Sequence, residues 1–297
     1  MSALAALGEG LVELRPTAAD DELRVGVGGD AANACVMAAR LGADARLGGR
    51  VGDDAFGDRL LGFWGAAGVD VRWVRRDAGA PTGLYLNDRA PDGGHRFSYW
   101  RSDSAGSRLA AADVPDAFLD GAGILLVTGV TLAISSSAAA AAQDAAQRAR
   151  GRGVRVAFVV NHRPALEPDV DLLRAWAGEA DIVIASDEDA AAIGDLAAAS
   201  GDADPREVVV TAGERPATLR WPGGRERRPV PVTPVVDAAG AGDALAGAYL
   251  AARLAGLQPP AALERGVTAA SLSVSRPGCA ASYPTAAELE AALGAPA

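Results

Sequence analysis

Short apolar runs recur along this chain, and each is followed by an alanine-rich or amphipathic stretch. Residues 124–127, 154–160, 182–184 and 208–211 are rich in Val, Ile and Leu and too short for helices, as buried strands are. Helices are predicted between them, over 135–150, 169–178 and 187–193. The N-terminal part reads the same way. A strand covers 3–8, a helix 31–41 with Asp30 as N-cap and Gly42 as stop, a strand 46–51, a helix 55–67 ended by Gly68, and a strand 69–74. Residues 217–221 and 227–232 read as a late hairpin around Pro222-Gly223-Gly224, followed by helices over 240–255 and 260–274. Such alternation with short links predicts an α/β fold whose mainly parallel sheet is covered on both faces. Sheets of this kind take ligands beyond the carboxyl ends of their strands.

Two segments break the rhythm. Residues 9–27 alternate short apolar pieces with Pro16, Asp20 and Asp21, which reads as a hairpin. Residues 81–101 carry Tyr85, His95, Phe97, Tyr99 and Trp100 in two alternating runs around Pro91-Asp92-Gly93-Gly94, a second hairpin. About residues 9–26 and 70–101 are therefore expected to form a small sheet added to one α/β body spanning 1–297. Tyr99 and Trp100, as strand neighbours, must face opposite sides. The uncharged run 121–142 is long enough to raise a membrane span. It resolves instead into the strand 124–127, a break at Thr128-Gly129, and a helix opened by Ser135-Ser136-Ser137. Met1-Ser2-Ala3-Leu4 lacks a basic start, so a soluble cytoplasmic protein is expected.

Composition narrows the chemistry. The 297 residues are 49% hydrophobic, enough for a sizeable core. A net charge of −10 argues against nucleic-acid or membrane partners, which need a basic face. All 28 basic residues are arginine. A Gly-Lys-Ser/Thr phosphate loop and the strand lysine of protein kinases are thus excluded. Any phosphate must be met by amides, arginine or metal. Cys35 and Cys279 make neither a disulfide framework nor a metal spacing, and Cys35 sits in a core-like helix.

The segment Val235-Val236-Asp237-Ala238-Ala239-Gly240-Ala241-Gly242-Asp243 reads as a glycine turn opening a long apolar helix. Gly240, Ala241 and Gly242 leave backbone N–H groups open at a helix N-terminus, a ready anion site. Asp243 puts a carboxylate beside it, either as a favourable first-turn acid or as a base next to a phosphoryl group. A second glycine turn, Gly28-Gly29-Asp30-Ala31-Ala32-Asn33, opens another helix, where Gly29 lets a polyol pass close and Asp30 and Asn33 bond hydroxyls. The overlapping Gly26-x-Gly28-x-x-Ala31 matches a dinucleotide pattern only loosely, because the charged residues 20–24 before it are no buried strand. Arg101 follows the aromatic hairpin, and Arg163 follows a strand at its carboxyl end. A guanidinium grips a carboxylate with two prongs, so the pair points to an acidic substrate unless both are ordinary surface arginines.

In order, Gly28-Gly29-x-x-x-Asn33, Gly49-Arg50-Val51-Gly52-Asp53-Asp54-Ala55-Phe56-Gly57 and Asp237-x-x-Gly240-Ala241-Gly242-Asp243 resemble the signatures of the ribokinase-like (PfkB) sugar kinases, over nearly the whole chain. Leu7-Gly8-Glu9-Gly10, Pro81-Thr82-Gly83-Leu84-Tyr85, Tyr99-Trp100-Arg101-Ser102-Asp103-Ser104-Ala105, Thr128-Gly129-Val130-Thr131-Leu132-Ala133 and Asn161-His162-Arg163-Pro164 resemble one subgroup, the 2-keto-3-deoxygluconate kinases. The resemblance implies a ribokinase-like, Rossmann-type body with a β lid, ATP and Mg²⁺ on the body, and sugar under the lid. A monovalent cation and a homodimer through the lid belong to the same expectation. Asp243 would be the catalytic base, with Gly240, Ala241 and Gly242 as the anion hole. Gly29, Asp30, Asn33, Tyr85, Tyr99, Arg101, Asn161 and Arg163 would meet the sugar. Ser186, Thr211, Gly213 and Asp237 would serve the nucleotide, and Asp189 the Mg²⁺.

The chain departs from the family pattern at Ala238, Val159, Asp189, Thr211 and Gly266, where relatives often carry Thr or Pro, Asp, Glu, Lys and Asn. These changes bear on nucleotide and metal more than on catalysis. The reaction expected is transfer of the ATP γ-phosphoryl group to a primary hydroxyl of a keto-deoxy sugar acid, 2-keto-3-deoxygluconate first. A kinase of ribose, fructose or adenosine, and a sugar- or nucleotide-binding sensor without turnover, are the alternatives.

Overall fold

The computed structural model describes residues 2–17, 22–89, 95–194, 196 and 206–294. The chain runs β1 (Ala3–Leu7), β2 (Leu11–Pro16), β3 (Leu23–Gly28), α1 (Asp30–Arg40), β4 (Ala45–Gly52), α2 (Ala55–Ala66), β5 (Val74–Asp77), β6 (Leu84–Arg89) and β7 (His95–Trp100). It continues with β8 (Ala122–Thr128), α3 (Gly129–Ala133), α4 (Ser136–Gly151), β9 (Arg155–Val159), α5 (Val170–Glu179), β10 (Ile182–Ser186), α6 (Asp187–Ile193) and β11 (Glu207–Ala212). The last elements are β12 (Arg215–Trp221), β13 (Gly224–Arg228), α7 (Ala241–Leu254), α8 (Pro259–Val274) and α9 (Ala286–Gly294).

Alternation along the strands builds two cores. In β1, Leu4 and Ala6 join an apolar cluster with α1, α7 and α8, while Ala5 and Leu7 join a second with α4 and α5. Both faces are covered, which is why these strands read as unbroken apolar runs. The body sheet has the order β13-β12-β11-β10-β9-β8-β1-β4-β5 among the described residues. It is parallel from β11 to β5, with β12 and β13 antiparallel at one edge. The strand order reverses at β1, so a crevice opens where the turns into α1 and α7 meet.

The second sheet, β3-β2-β6-β7, is the lid. The cross-strand sets Glu13–Tyr85–Tyr99 and Val12–Leu84–Trp100 show its two faces, one polar and aromatic, the other apolar. Tyr99 and Trp100 do face opposite ways. Trp100 and Leu23 stand exposed on the apolar side.

Several local expectations needed correction. The N-cap of α1 is Gly29, at φ 109°, and Asp30 is its first residue. The region 69–74 is not a strand: Asp70 only bridges Arg46, and its carboxylate receives the Arg72 amide, the Arg72 guanidinium and the Trp73 indole N–H, folding a turn. The strand that follows, β5, pairs with β4 in the body, so the lid does not begin at residue 70. Strand β13 ends at Arg228 because Pro229 and Pro231 cannot donate to a ladder. Helices α3 and α9 were not foreseen. The tip 91–94 of the second lid hairpin lies outside the described residues, although β6 and β7 pair as expected. No described helix is long and apolar enough to cross a membrane.

Helix α7 carries the site at its start and is clamped farther along. Glu207, at the start of β11, accepts the Tyr249 hydroxyl (2.6 Å), the Arg253 guanidinium (2.7 and 2.9 Å) and Arg155 (3.2 Å). Removing the carboxylate takes the acceptor from the Tyr249 hydroxyl and leaves the Arg253 guanidinium with the Leu257 carbonyl but without its counter-charge. Glu207→Ala should therefore cost about 3 kcal/mol in a chemical denaturation curve. A loss below ~1 kcal/mol would reduce the cluster to surface decoration.

Candidate active site

The turn into α7 is built by neighbours as much as by its own residues. Gly240 sits at φ 79°, and a Cβ there would lie 2.3 Å from the Cys279 sulfur. The Tyr283 hydroxyl donates to the Gly240 carbonyl at 2.8 Å. The ladder begins with Ala244 N–H to Gly240 O (2.9 Å), so the Gly242 and Asp243 amides precede it. The Ala241 amide turns back to Ala238 O at 3.3 Å, which makes it a weaker part of the anion hole than its position suggests. Asp237 also differs from expectation. It is 3% exposed, and its carboxylate receives the Ala239 amide (3.0 Å), the Gly278 amide (2.9 Å) and the Arg15 guanidinium. It shapes the turn and is not among the residues that line the cavity described below. These donors hold its carboxyl below the usual range despite burial.

Asp243 is half-buried in the first turn of α7. Asn33 of α1 donates to its Oδ2 at 2.9 Å, and the same amide lies 3.1 Å from the Cys279 sulfur. Burial first, and the Asp30 charge second, push the Asp243 carboxyl up to about 7; the Asn33 bond, Arg163 and Asn161 oppose the rise. A carboxylate with that value can accept a proton near neutral pH.

Around it the expected sugar-side residues converge, with one exception. Asn161, at φ 38°, donates to Asp30 at 3.0 Å and accepts from Arg163 at 3.3 Å. Arg163 is exposed at the crevice. Tyr85 is buried and packs on Tyr99 at 5.6 Å between ring centroids. Burial raises the Tyr99 hydroxyl above its ordinary value, Arg163 opposes the rise and the Asp30 charge adds to it. Gly29 lies with its α-carbon against the Glu9–Gly10 backbone, where no side chain fits. Arg101 is the exception. Its guanidinium is ion-paired with buried Glu9 and rests on Tyr99, 5.4 Å from the ring centroid. Burial lowers it to about 10. The two arginines are therefore unequal: Arg163 is open to a ligand, and Arg101 already holds a carboxylate of the protein.

A cavity of about 690 Å³ runs from Asn161 and Arg163 past Gly242 to an apolar end at Val230, Val267 and Val274. Ser186, Thr211 and Gly213, the residues expected to serve the nucleotide, line it. Asp189 reaches its rim, but its two oxygens accept the His162 amide (2.8 Å) and the Ser186 amide (3.0 Å). It closes a capping box with Ser186 and joins β9 to β10. Its neighbour Glu188 is exposed on the cavity wall. Sequence reasoning missed Glu188, Glu9, Cys279 and Tyr283. For Glu9 a signal existed, an acid at the carboxyl end of a buried strand; for the last two, none did.

The raised value of Asp243 is also a stability statement. Its folded value lies above the ordinary 3.8, so stability falls as pH rises from the carboxylate range toward about 7. Asp243→Asn should raise the melting temperature at pH 8, with a smaller gain at pH 5. An unchanged or lower value at pH 8 would show that Asp243 ionises without penalty.

The comparisons with known proteins agree with this geometry. The pattern of the pfkB family carbohydrate kinases matches residues 3–286. The chain is 34% identical to a 2-dehydro-3-deoxygluconokinase of Thermoproteus tenax, over 99% of this chain and 95% of that one. It is 30% identical to a 2-dehydro-3-deoxygalactonokinase of Haloferax volcanii, over 91% and 90%. Its fold superimposes on a fructokinase with bound ATP from Xylella fastidiosa with a TM-score of 0.87, at 24% identity over 98% and 97% of the two chains. With a bare helix start, a held carboxylate and a lid above them, the chain belongs to the PfkB family of carbohydrate kinases, phosphotransferases with an alcohol acceptor.

Proposed function

We propose that this kinase transfers the γ-phosphoryl group of ATP to a primary hydroxyl of a keto-deoxy sugar acid, with 2-keto-3-deoxygluconate as the first candidate. The observation that carries the reading is Asp243, held by Asn33 at the open start of α7 beside Gly242, which lines the cavity together with the exposed Arg163. Two of the relatives above are named for acids of this class. Arg163 supplies the cation that such an acid needs and a neutral sugar does not. The Gly242 and Asp243 amides stabilise charge on the transferring group, and Asp243 takes the hydroxyl proton late in the loose transition state. Among the described residues no cluster of three metal-ligating side chains exists. That fits a Mg²⁺ that draws most of its oxygen ligands from phosphates and water. Glu188, on the cavity wall, would hold it, and the ion would neutralise phosphate charge. The lid would exclude water.

A neutral-sugar kinase remains the second reading, because Arg101 is occupied by Glu9 and only Arg163 is open. A screen of ADP release separates the two, using 2-keto-3-deoxygluconate, 2-keto-3-deoxygalactonate, ribose, fructose and adenosine. The acids should lead, and Arg163→Ala should lower their kcat/KM by roughly 100-fold while sparing neutral sugars. Equal loss for acids and neutral sugars would refute the carboxylate role, and ligand binding without any ADP would point to a sensor.

Asp243 must be ionised to act as a base. With its carboxyl near 7, kcat/KM should fall on the acid side of about pH 7, roughly tenfold per unit. An acid limb with its midpoint below about pH 5 would remove Asp243 from that role.

A further inference from the structure

We propose that Arg15 is a positioning residue that ties the lid to the turn in front of α7, so that the lid's seat and the anion hole's shape are set together. The inference rests on the kinase reading above. Arg15 lies on β2, in the lid, on the same face as Glu13 and Tyr85. One end of its guanidinium meets Asp237, and the other donates to Glu13 Oε1 at 2.8 Å. Glu13 in turn receives the Asn87 amide at 2.9 Å, so Arg15 is fixed to two lid strands.

On the body side, Asp237 links separate parts of the chain. Its Oδ1 takes the Ala239 amide, one residue before Gly240. Its Oδ2 takes both Arg15 and the Gly278 amide, next to the Cys279 that touches Asn33 and packs on Gly240. One buried carboxylate thus joins the lid, the turn into α7, and the loop that backs the Asp243–Asn33 pair. A lid that lifts away carries the guanidinium with it. Asp237 then stays buried without that guanidinium, a costly state in low dielectric. The turn is expected to relax when that happens, which couples closure to assembly of the phosphate-facing amides. Arg15 does not line the cavity, so it acts only through Asp237.

The test uses the whole chain with ATP and whichever panel sugar the parent phosphorylates best. Arg15→Met should lower kcat roughly 10-fold, change the sugar KM less than about 3-fold, and release more ADP per sugar phosphate formed. Arg15→Lys should recover part of kcat. The Arg15→Met/Asp237→Asn double variant should be no slower than Asp237→Asn alone, since both break one link. Melting temperatures are measured alongside, and rates are compared well below the lowest. An Arg15→Met kcat within about 2-fold of the parent, or losses that multiply in the double variant, would overturn the inference. A parent active only on neutral sugars overturns the substrate assignment and leaves this comparison intact.

Discussion

A carboxylate kept half-buried at the start of α7 governs this molecule. The positive end of a helix favours an anion, and two anions compete for it here: Asp243 and any incoming phosphate. Burial and the nearby Asp30 lift the Asp243 carboxyl to about 7, and Asn33 limits the rise. That balance demands a donor from another helix, so α1 must cross α7 closely. The crossing rests in turn on the shared core of Cys35, Met37, Tyr249 and Leu250. The site therefore depends on packing that lies outside it.

The two arginines by the crevice show how context divides identical side chains. A guanidinium already paired with a buried carboxylate is expensive to detach, of the order of several kcal/mol. Arg101 is in that state against Glu9, and it contributes a fixed wall and a face for Tyr99. Arg163, exposed and donating to the His162 carbonyl and to Asn161 but to no carboxylate among the described residues, keeps its charge available. Of these two arginines, the one past the end of β9 is thus the one left open toward the cavity. The bonds of Asp189 to the His162 and Ser186 amides hold the segment after β9 against the end of β10, so two walls of the cavity are joined through backbone groups.

Most of the architecture was legible because both determinants are local. Period and run length mark the parallel strands and their helices, and glycine marks the turns into α1 and α7. The misreadings also have local causes. Asp30 resembles an N-cap by residue type, but the left-handed conformation of Gly29 moves the cap one residue back. Residues 69–74 look extended until Asp70 folds them with its own side chain. Asp237 and Asp189 stand in motif positions that point to ligand, and in the fold their oxygens also accept backbone amides that residue order does not reveal.

The order of residues alone specified a lidded, mainly parallel α/β sheet, two glycine turns into helices, and a lysine-free means of meeting phosphate. These follow from side-chain period, from the freedom of glycine and from which residue types are present, and none of them requires knowing a distant neighbour. Which carboxylate is open and which is consumed, and which arginine is free, emerged only on folding. Those outcomes rest on pairs far apart in sequence, Asn33 with Asp243, Glu9 with Arg101, Arg15 with Asp237. Charge and hydrogen bonding act over a few ångströms of space, and spacing along the chain does not encode that distance.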